Sequence, residues 1–197
     1  DFRQTGQKEA LVGTLLGDSH LSTYNDINYN LMVQHGYSQK AYTDWLYEIF
    51  KEWVRTPPKI KYQSVNDKLY QKYWFNTLSH VALRFFAHLF YHDGKKIVPK
   101  LIHRWLTPLG LAVWFMDDGS IKSRHHRALI LNTQCYSNRD LHRLQKVLLD
   151  KYGITTKLRK QKEGKQIYIL AVSVQKFVDT IRPYIIPEME YKLGKLR

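Results

Sequence analysis

The sequence predicts an α+β fold made of two tandem αββαββα halves, pseudo-twofold symmetric, with two antiparallel sheets placed side by side as a saddle. Three observations carry this. LVGTLLGDS (11–19) and LAVWFMDDG (111–119) are both apolar helical runs ending in an acid, with Asp18 and Asp118 one hundred positions apart. Downstream, MVQHGYSQKAY (32–42) matches LNTQCYSNRDL (131–141), sharing Tyr-Ser at an offset of 99. The same order of helix-period and strand-period segments then follows in each half.

The helix closing on Asp118 is apolar on every side, which indicates burial all round. The one closing on Asp18 carries Gly13 and Gly17 on one face, where missing side chains let another backbone approach. A duplicated buried helix with small residues packs most simply on its own copy. An amphipathic helix comes next in each half, with Ala41, Trp45, Ile49 and Trp53 inward in the first and Leu141, Leu144 and Leu148 in the second. Ser137 followed by Asp140 reads as an N-terminal cap, and Gly153 as the helix stop. KIKYQ (59–63) pairs with KLYQKYWF (68–75), and TTKLRKQ (155–161) with KQIYILAV (165–172), through turns at Asn66-Asp67 and Glu163-Gly164. The last helices turn Val81, Ala82, Phe85, Phe86 and Leu89, and Val174, Phe177, Val178 and Ile181, to the core. Prolines around PKLIHRWLTP divide the chain into halves 1–98 and 108–197 with a connector at 99–107.

Charge points to a partner. Lys and Arg number 31 against 17 acids, a net +14, which calls for a polyanion: nucleic acid or an anionic membrane surface. The basic residues lie in short alternating stretches, KIKYQ and KLRKQKEGK (157–165), rather than on one amphipathic helix, which favours nucleic acid. No apolar run is long enough to span a membrane. The single cysteine, Cys135, excludes an internal disulfide and suggests a reducing compartment; without a nucleophile's partners it reads as a packing thiol. There is no Gly-rich phosphate loop. His88 and His92 have zinc-ligand spacing but no accompanying Glu or Cys, and read as surface or half-buried histidines. His125-His126 falls near a strand end or turn.

The acids need an explanation, because a helix C-terminus already presents partial negative charge and unpaired carbonyls. Singly, Asp18-Ser19 and Asp118-Gly119 are ordinary polar turns after a helix. Packing the two helices together would converge both carboxylates and both sets of carbonyls near one axis. Hard divalent cations want such oxygens, so Asp18, Asp118 and the carbonyls of Gly17 and Asp117 form a candidate Mg²⁺ site, with Mn²⁺ as a substitute. In a basic chain this reads as metal-assisted phosphodiester hydrolysis.

With LVGTLLGDS and LAVWFMDDG in place, the chain resembles the LAGLIDADG homing endonucleases across almost its whole length. MDDG (116–119), LNTQ (131–134) and PYIIPEMEYKL (183–193) are most similar to the single-chain enzymes of organellar introns. The resemblance implies that the terminal acids bind catalytic metal and that a lysine from each half acts on the water network or the developing charge. By position these look like Lys96 and Lys192, with Lys95 competing for the first. It implies a monomer needing no protein partner, cleavage across the minor groove leaving 3′ overhangs, and an organellar home, the mitochondrion first and the chloroplast second. Ser19 departs from the signature's Gly, and Thr14 is an unusual choice in that buried helix, so the two cleavage centres need not be equally active.

Strand alternation then assigns the surface that meets double-stranded DNA. Lys59, Lys61 and Gln63 share a face, as do Lys157, Arg159 and Gln161, because Leu158 goes to the core. Lys122 and Arg124 follow the second motif, with His20 and Tyr24 as rough counterparts. Arg and Lys suit guanine edges and Gln suits adenine; any of these residues could instead touch phosphate alone. Strands of about nine residues span roughly nine base pairs, so two sheets cover on the order of 20, and unlike halves need no palindrome. The competing functions are an RNA-binding maturase for a host intron and a DNA-binding repressor; neither needs both acids and both lysines.

Overall fold

In a computed structural model the chain is described over residues 5–123 and 126–194. The first half runs α1 (Thr5–Leu16), β1 (His20–Thr23), β2 (Tyr29–Gly36), α2 (Lys40–Phe50), β3 (Lys59–Val65), β4 (Lys68–Asn76) and α3 (Ala82–Phe90). A two-stranded hairpin, β5 (Tyr91–His92) and β6 (Lys95–Lys96), and a short helix α4 (Ile102–Trp105) lead across. The second half repeats the order: α5 (Pro108–Asp118), β7 (Gly119–Ser123), β8 (His126–Leu131), α6 (Asn138–Tyr152), β9 (Thr156–Gln161), β10 (Gly164–Ile169) and α7 (Ala171–Ile181). Each half forms a four-stranded antiparallel sheet, ordered β1-β2-β4-β3 and β7-β8-β10-β9.

The apposition of α1 and α5 joins the halves. A Cβ built on Gly13 would lie 2.3 Å from the Gly110 carbonyl oxygen and 2.7 Å from Val113 Cβ. One built on Gly17 would lie 2.4 Å from Asp117 Oδ2. Gly13 therefore permits a backbone approach that a side chain would obstruct, and Gly17 leaves room for the Asp117 side chain. Leu11, Val12, Leu15, Leu111, Val113, Trp114 and Phe115 have no exposed surface. Caps behave as their residues dictate: Thr107 and Ser137 accept the amides of Gly110 and Asp140, and Gly153 takes the left-handed conformation at φ 62°. The β3–β4 turn places Asn66 and Asp67 at φ 49° and 60°.

Three elements differ from what the sequence predicts. In α2 the buried residues are Tyr42, Thr43, Leu46 and Phe50, with Trp45 and Ile49 half-buried at the flank, so the inward stripe lies one position beyond Ala41. Tyr42 sets that rotation: its ring is fully buried and its hydroxyl donates to Val113 O at 3.2 Å. In α3, Leu83, Phe86, Ala87 and Phe90 are buried, while Val81 and Phe85 are about half exposed. Of the stripe the periodicity selects, only Phe86 is buried, Ala82 and Leu89 are half-buried, and Phe85 rests against Trp105 of the connector with ring centroids 5.6 Å apart, because α3 carries apolar residues on both faces. The β9–β10 turn falls one residue early, on Lys162-Glu163: Gly164 pairs with Gln161, and β10 ends at Ile169 as α7 takes over from Ala171. The inward residues of α6 and α7 are those the periodicity selects.

Placing a methyl at the seam should cost more than alanine's helix preference returns. Gly13→Ala should lower unfolding stability by about 1–3 kcal/mol. Gly36→Ala, where the added Cβ would find only Ser38 Oγ at 3.7 Å, should be near neutral. Urea denaturation of the two variants checks this.

Candidate active site

Both motif helices end at the same place. The Asp18 side chain, 46% exposed, and the half-buried Asp118 lie close enough for their charges to interact. Burial first, then Asp18 and Asp117, raise the Asp118 carboxyl to about 8, against the opposing pull of Lys96 and Lys192. Asp18 is raised as well, by burial and then by Asp117, while His35 and the two lysines oppose the shift. Carboxylates held at this end of two helices are a charge excess that the chain compensates only in part.

The lysines satisfy the helix ends. Lys96, on β6, donates to Gly17 O at 2.7 Å and Ser19 O at 2.9 Å. Lys192, in the 3-10 helix Pro187–Leu193, donates to Asp117 O at 2.8 Å and to Met116 O. Burial lowers both ammonium pKa values. Lys95 pairs with His92 on the hairpin and is exposed, so Lys96 is the lysine that reaches α1. The carbonyls of Gly17 and Asp117, expected as metal ligands, are thus bonded to ammonium groups here; orphan carbonyls at a helix end take the nearest donors.

A buried polar cluster beside the acids went unread in the sequence. The side chain of Asp117 is fully buried; its Oδ2 accepts from Thr14 Oγ1 at 2.9 Å and from the Asp18 amide at 3.2 Å. His35 Nε2 lies 3.3 Å from Asp117 Oδ1 and 3.9 Å from Asp18 Oδ2, and its other ring nitrogen bonds Thr43 Oγ1 at 2.9 Å. Thr14 Oγ1 and Ser19 Oγ are 2.6 Å apart, so the two departures from the motif serve one network. Among the described residues, Asp18, His35 and Asp117 are the acids and histidines brought close enough to hold a metal, with one ligand atom of each within 4.8 Å of the others. Asp117 already accepts hydrogen bonds at this carboxylate, so it reads as an organiser rather than a free ligand. One signal was available: Leu31, Val33 and His35 alternate on the core face of β2.

Asn132, also unread, donates its side-chain amide and its backbone N–H to Asp118 O at 2.8 and 3.0 Å. Gln166 donates to Asn132 Oδ1 at 2.6 Å, and Gln161 to Gln166 Oε1 at 2.9 Å. A side-chain relay thus runs from Gln161 through Gln166 and Asn132 to the main-chain carbonyl of Asp118.

On that face the register aligns Lys59 with Trp74, Lys61 with Lys72 and Gln63 with Tyr70 in one half. In the other it aligns Lys157 with Tyr168, Arg159 with Gln166 and Gln161 with Gly164. Lys61 and Lys122 lie over the rings of Trp74 and Tyr168, at 5.3 and 5.4 Å. His20 opens β1 on this face, where burial and then Lys96 and Lys61 lower its pKa. Tyr24 stands fully exposed in the β1–β2 loop, beyond the strand. Arg124 and His125 lie outside the described residues. His88 accepts from Arg84 Nε at 3.2 Å and His92 is exposed. Cys135 is exposed.

The profile of the LAGLIDADG DNA endonuclease family matches residues 8–177. The probable intron-encoded endonuclease 1 of Wickerhamomyces canadensis is 31% identical over 195 residues, covering 95% of this chain and 83% of that protein. The cytochrome b mRNA maturase bI2 of Saccharomyces cerevisiae is also 31% identical, over 93% of this chain and 46% of its own length. The homing endonuclease I-WcaI, solved bound to its DNA recognition sequence, superposes with a TM-score of 0.91 at 28% identity, over 96% of this chain and 86% of that one. Two motif helices packed through glycines, each ending in an acid and leading into its own antiparallel sheet, agree with the sequence and structure matches: the chain belongs to the LAGLIDADG homing endonuclease family.

Proposed function

We propose that the protein is a sequence-specific DNA endonuclease that hydrolyses both strands of a long, non-palindromic site with a divalent cation. The observation that carries the reading is the convergence of Asp18 and Asp118, each half with its own lysine, between two sheets with basic outer faces. Two partly buried carboxylates that repel one another are unfavourable alone and favourable around a hard cation. The donor set suits one: carboxylate oxygens are available, while the ring nitrogens of His35 face Thr43 and Asp117. Asp18 and Asp118 would hold Mg²⁺, or Mn²⁺ in its place. The carbonyls of Gly17 and Asp117 serve the lysines first and would reach the cation only if those ammonium groups turned away. When bound, the cation supplies positive charge to the developing phosphate and lowers the pKa of attacking water.

The remaining work belongs to the chain. Lys96 and Lys192 would neutralise charge or hand over a proton at the scissile phosphate, a role supported by their nearness to the acids and by pKa values that burial lowers. Lys59, Lys61, Gln63, Lys122, Lys157, Arg159 and Gln161 supply phosphate and base-edge contacts, and His20, Tyr24 and Arg124 border them. Cutting across the minor groove would leave 3′ overhangs. We place the protein in an organelle, the mitochondrion ahead of the chloroplast, acting on double-stranded DNA as a monomer. No helix among the described residues is long and apolar enough to cross a membrane. The maturase relative favours a second reading, binding of a host intron's RNA, but a splicing cofactor has no use for paired acids and lysines.

Incubation with a randomised duplex library and Mg²⁺, followed by sequencing of cut ends, tests the function. Cleavage should fall at one long site on the order of 20 base pairs. Asp118→Asn should slow it by about a hundredfold or more. Binding without cleavage in Mg²⁺ or Mn²⁺ would replace the endonuclease with the RNA- or DNA-binding alternative.

The raised Asp118 carboxyl makes a separate prediction for protein held in EDTA. Its folded value, about 8, lies above the ordinary 3.8, so the folded state keeps a proton that the unfolded chain releases. Stability contributed by that proton is complete below about pH 4 and is lost as pH rises towards 8. Asp118→Asn should therefore melt above wild type near pH 8, and the gap should close near pH 4. Thermal melts at the two pH values check the sign.

A further inference from the structure

The halves are alike in fold but not in the groups behind their acids. Asp117 stands at the position equivalent to Gly17, Gly119 at that of Ser19, and Trp114 at that of Thr14. The strands extend the comparison: His20 pairs with Met32 and Ser120 with Ile130, so β2 and β8 correspond one residue off the offset of 99 that the shared Tyr-Ser suggests, and His35 corresponds to Thr133. Among the described residues, the Thr133 hydroxyl bonds within its own half, to the carbonyls of Leu131 and Lys165 and the amide of Ile167. His35 instead reaches the seam between the halves.

The missing side chain at Gly17 leaves the space into which Asp117 turns its carboxylate. That carboxylate crosses from α5 to hold the backbone amide of Asp18 and the hydroxyl of Thr14. His35, 1% exposed, is fixed by Thr43 and packs against Tyr42 with ring centroids 4.9 Å apart, and its Nε2 faces both Asp117 and Asp18. The main chain of Asp18 is therefore held by one member of the pair and its carboxylate approached by the other. Asp118 has a different support, Asn132 of its own half. A fully buried carboxylate costs several kcal/mol unless its partners are well placed, and although Asp117 lies near both acids, the hydrogen bonds it accepts across the seam come from the Asp18 amide and from Thr14.

We propose that His35 and Asp117 are positioning residues for Asp18 and not for Asp118, so that the two strand cuts are separately supported. The proposal rests on the endonuclease reading. The two scissile phosphates of a duplex are related by a dyad, as are the two acids, so displacing one acid slows one cut more than the other. His35→Phe removes the polar ring nitrogens while keeping bulk; His35→Gln restores a donor towards Asp117.

On a supercoiled plasmid carrying the site, His35→Phe should accumulate nicked circles. The ratio of the two strand-cleavage rates should shift by about tenfold from wild type, with the slow strand always the same. His35→Gln should recover most of the wild-type ratio, and metal-free affinity for the uncut duplex should stay within about twofold. Thr43→Val, which releases the far side of the ring without loss of volume, should bias the same strand more weakly, and it carries the test if His35→Phe does not fold. Amide hydrogen exchange gives a readout independent of cleavage: the Asp18 N–H should exchange faster in the variants while the Asp118 N–H does not change. Equal slowing of both strands, nicks divided evenly between them, or unchanged Asp18 exchange would overturn the proposal. Wild-type protein that binds the duplex without cutting it would defeat the endonuclease reading, leaving the Asp18 exchange to decide the positioning role.

Discussion

The close contact of α1 with α5 is the constraint on which the rest depends. Its glycines bring backbone against backbone, with the space of a Gly13 side chain taken by Gly110 O and Val113. That contact makes one continuous core of two halves and holds both motif ends together. Both sheets continue directly from those ends, so their basic faces are set relative to the acids by the same contact. A looser seam would leave two small αββαββα units and no shared site.

Charge concentrated at the seam is balanced in layers. Helix ends that already present partial negative charge receive carboxylates from both halves, and burial then raises the pKa values of Asp18 and Asp118. Lys96 and Lys192 relieve the helix ends by binding the last carbonyls rather than the carboxylates. The ammonium groups are thereby held beside the acids on carbonyl oxygens rather than on the carboxylates, which keeps the carboxylate oxygens open to the cation we propose. Asp117 sits deeper, where Thr14, His35 and the Asp18 amide surround it. Adjacent aspartates on one helix thus meet different surroundings, because a turn of about 100° per residue puts the Asp117 side chain fully inside the seam and leaves Asp118 half-buried.

How much could be read in advance followed from how local each signal was. The repeat, the strand pairs, the Ser137 and Gly153 caps and the buried stripes of α6 and α7 all depend on neighbours a few residues away. The stripes of α2 and α3 were misplaced, because apolar residues lie on more than one face of each and distant partners set the rotation, Val113 beneath Tyr42 and Trp105 beside Phe85. The acids were legible because duplication marks them twice. His35 was not, since a lone histidine on a strand's core face acquires meaning only from Asp117, 82 residues away.

By itself, the sequence determined the duplicated α+β architecture, the two acids at helix ends, the basic alternating strands and the family, since periodicity, spacing and composition are properties of the chain. Tertiary structure alone decided which lysine of the Lys95-Lys96 pair faces α1, which carbonyls the lysines occupy, and that Asp117 turns inwards to hold the amide of Asp18. These are contacts across the seam between distant segments, and their geometry exists only once Gly13 and Gly17 have let the two helices meet.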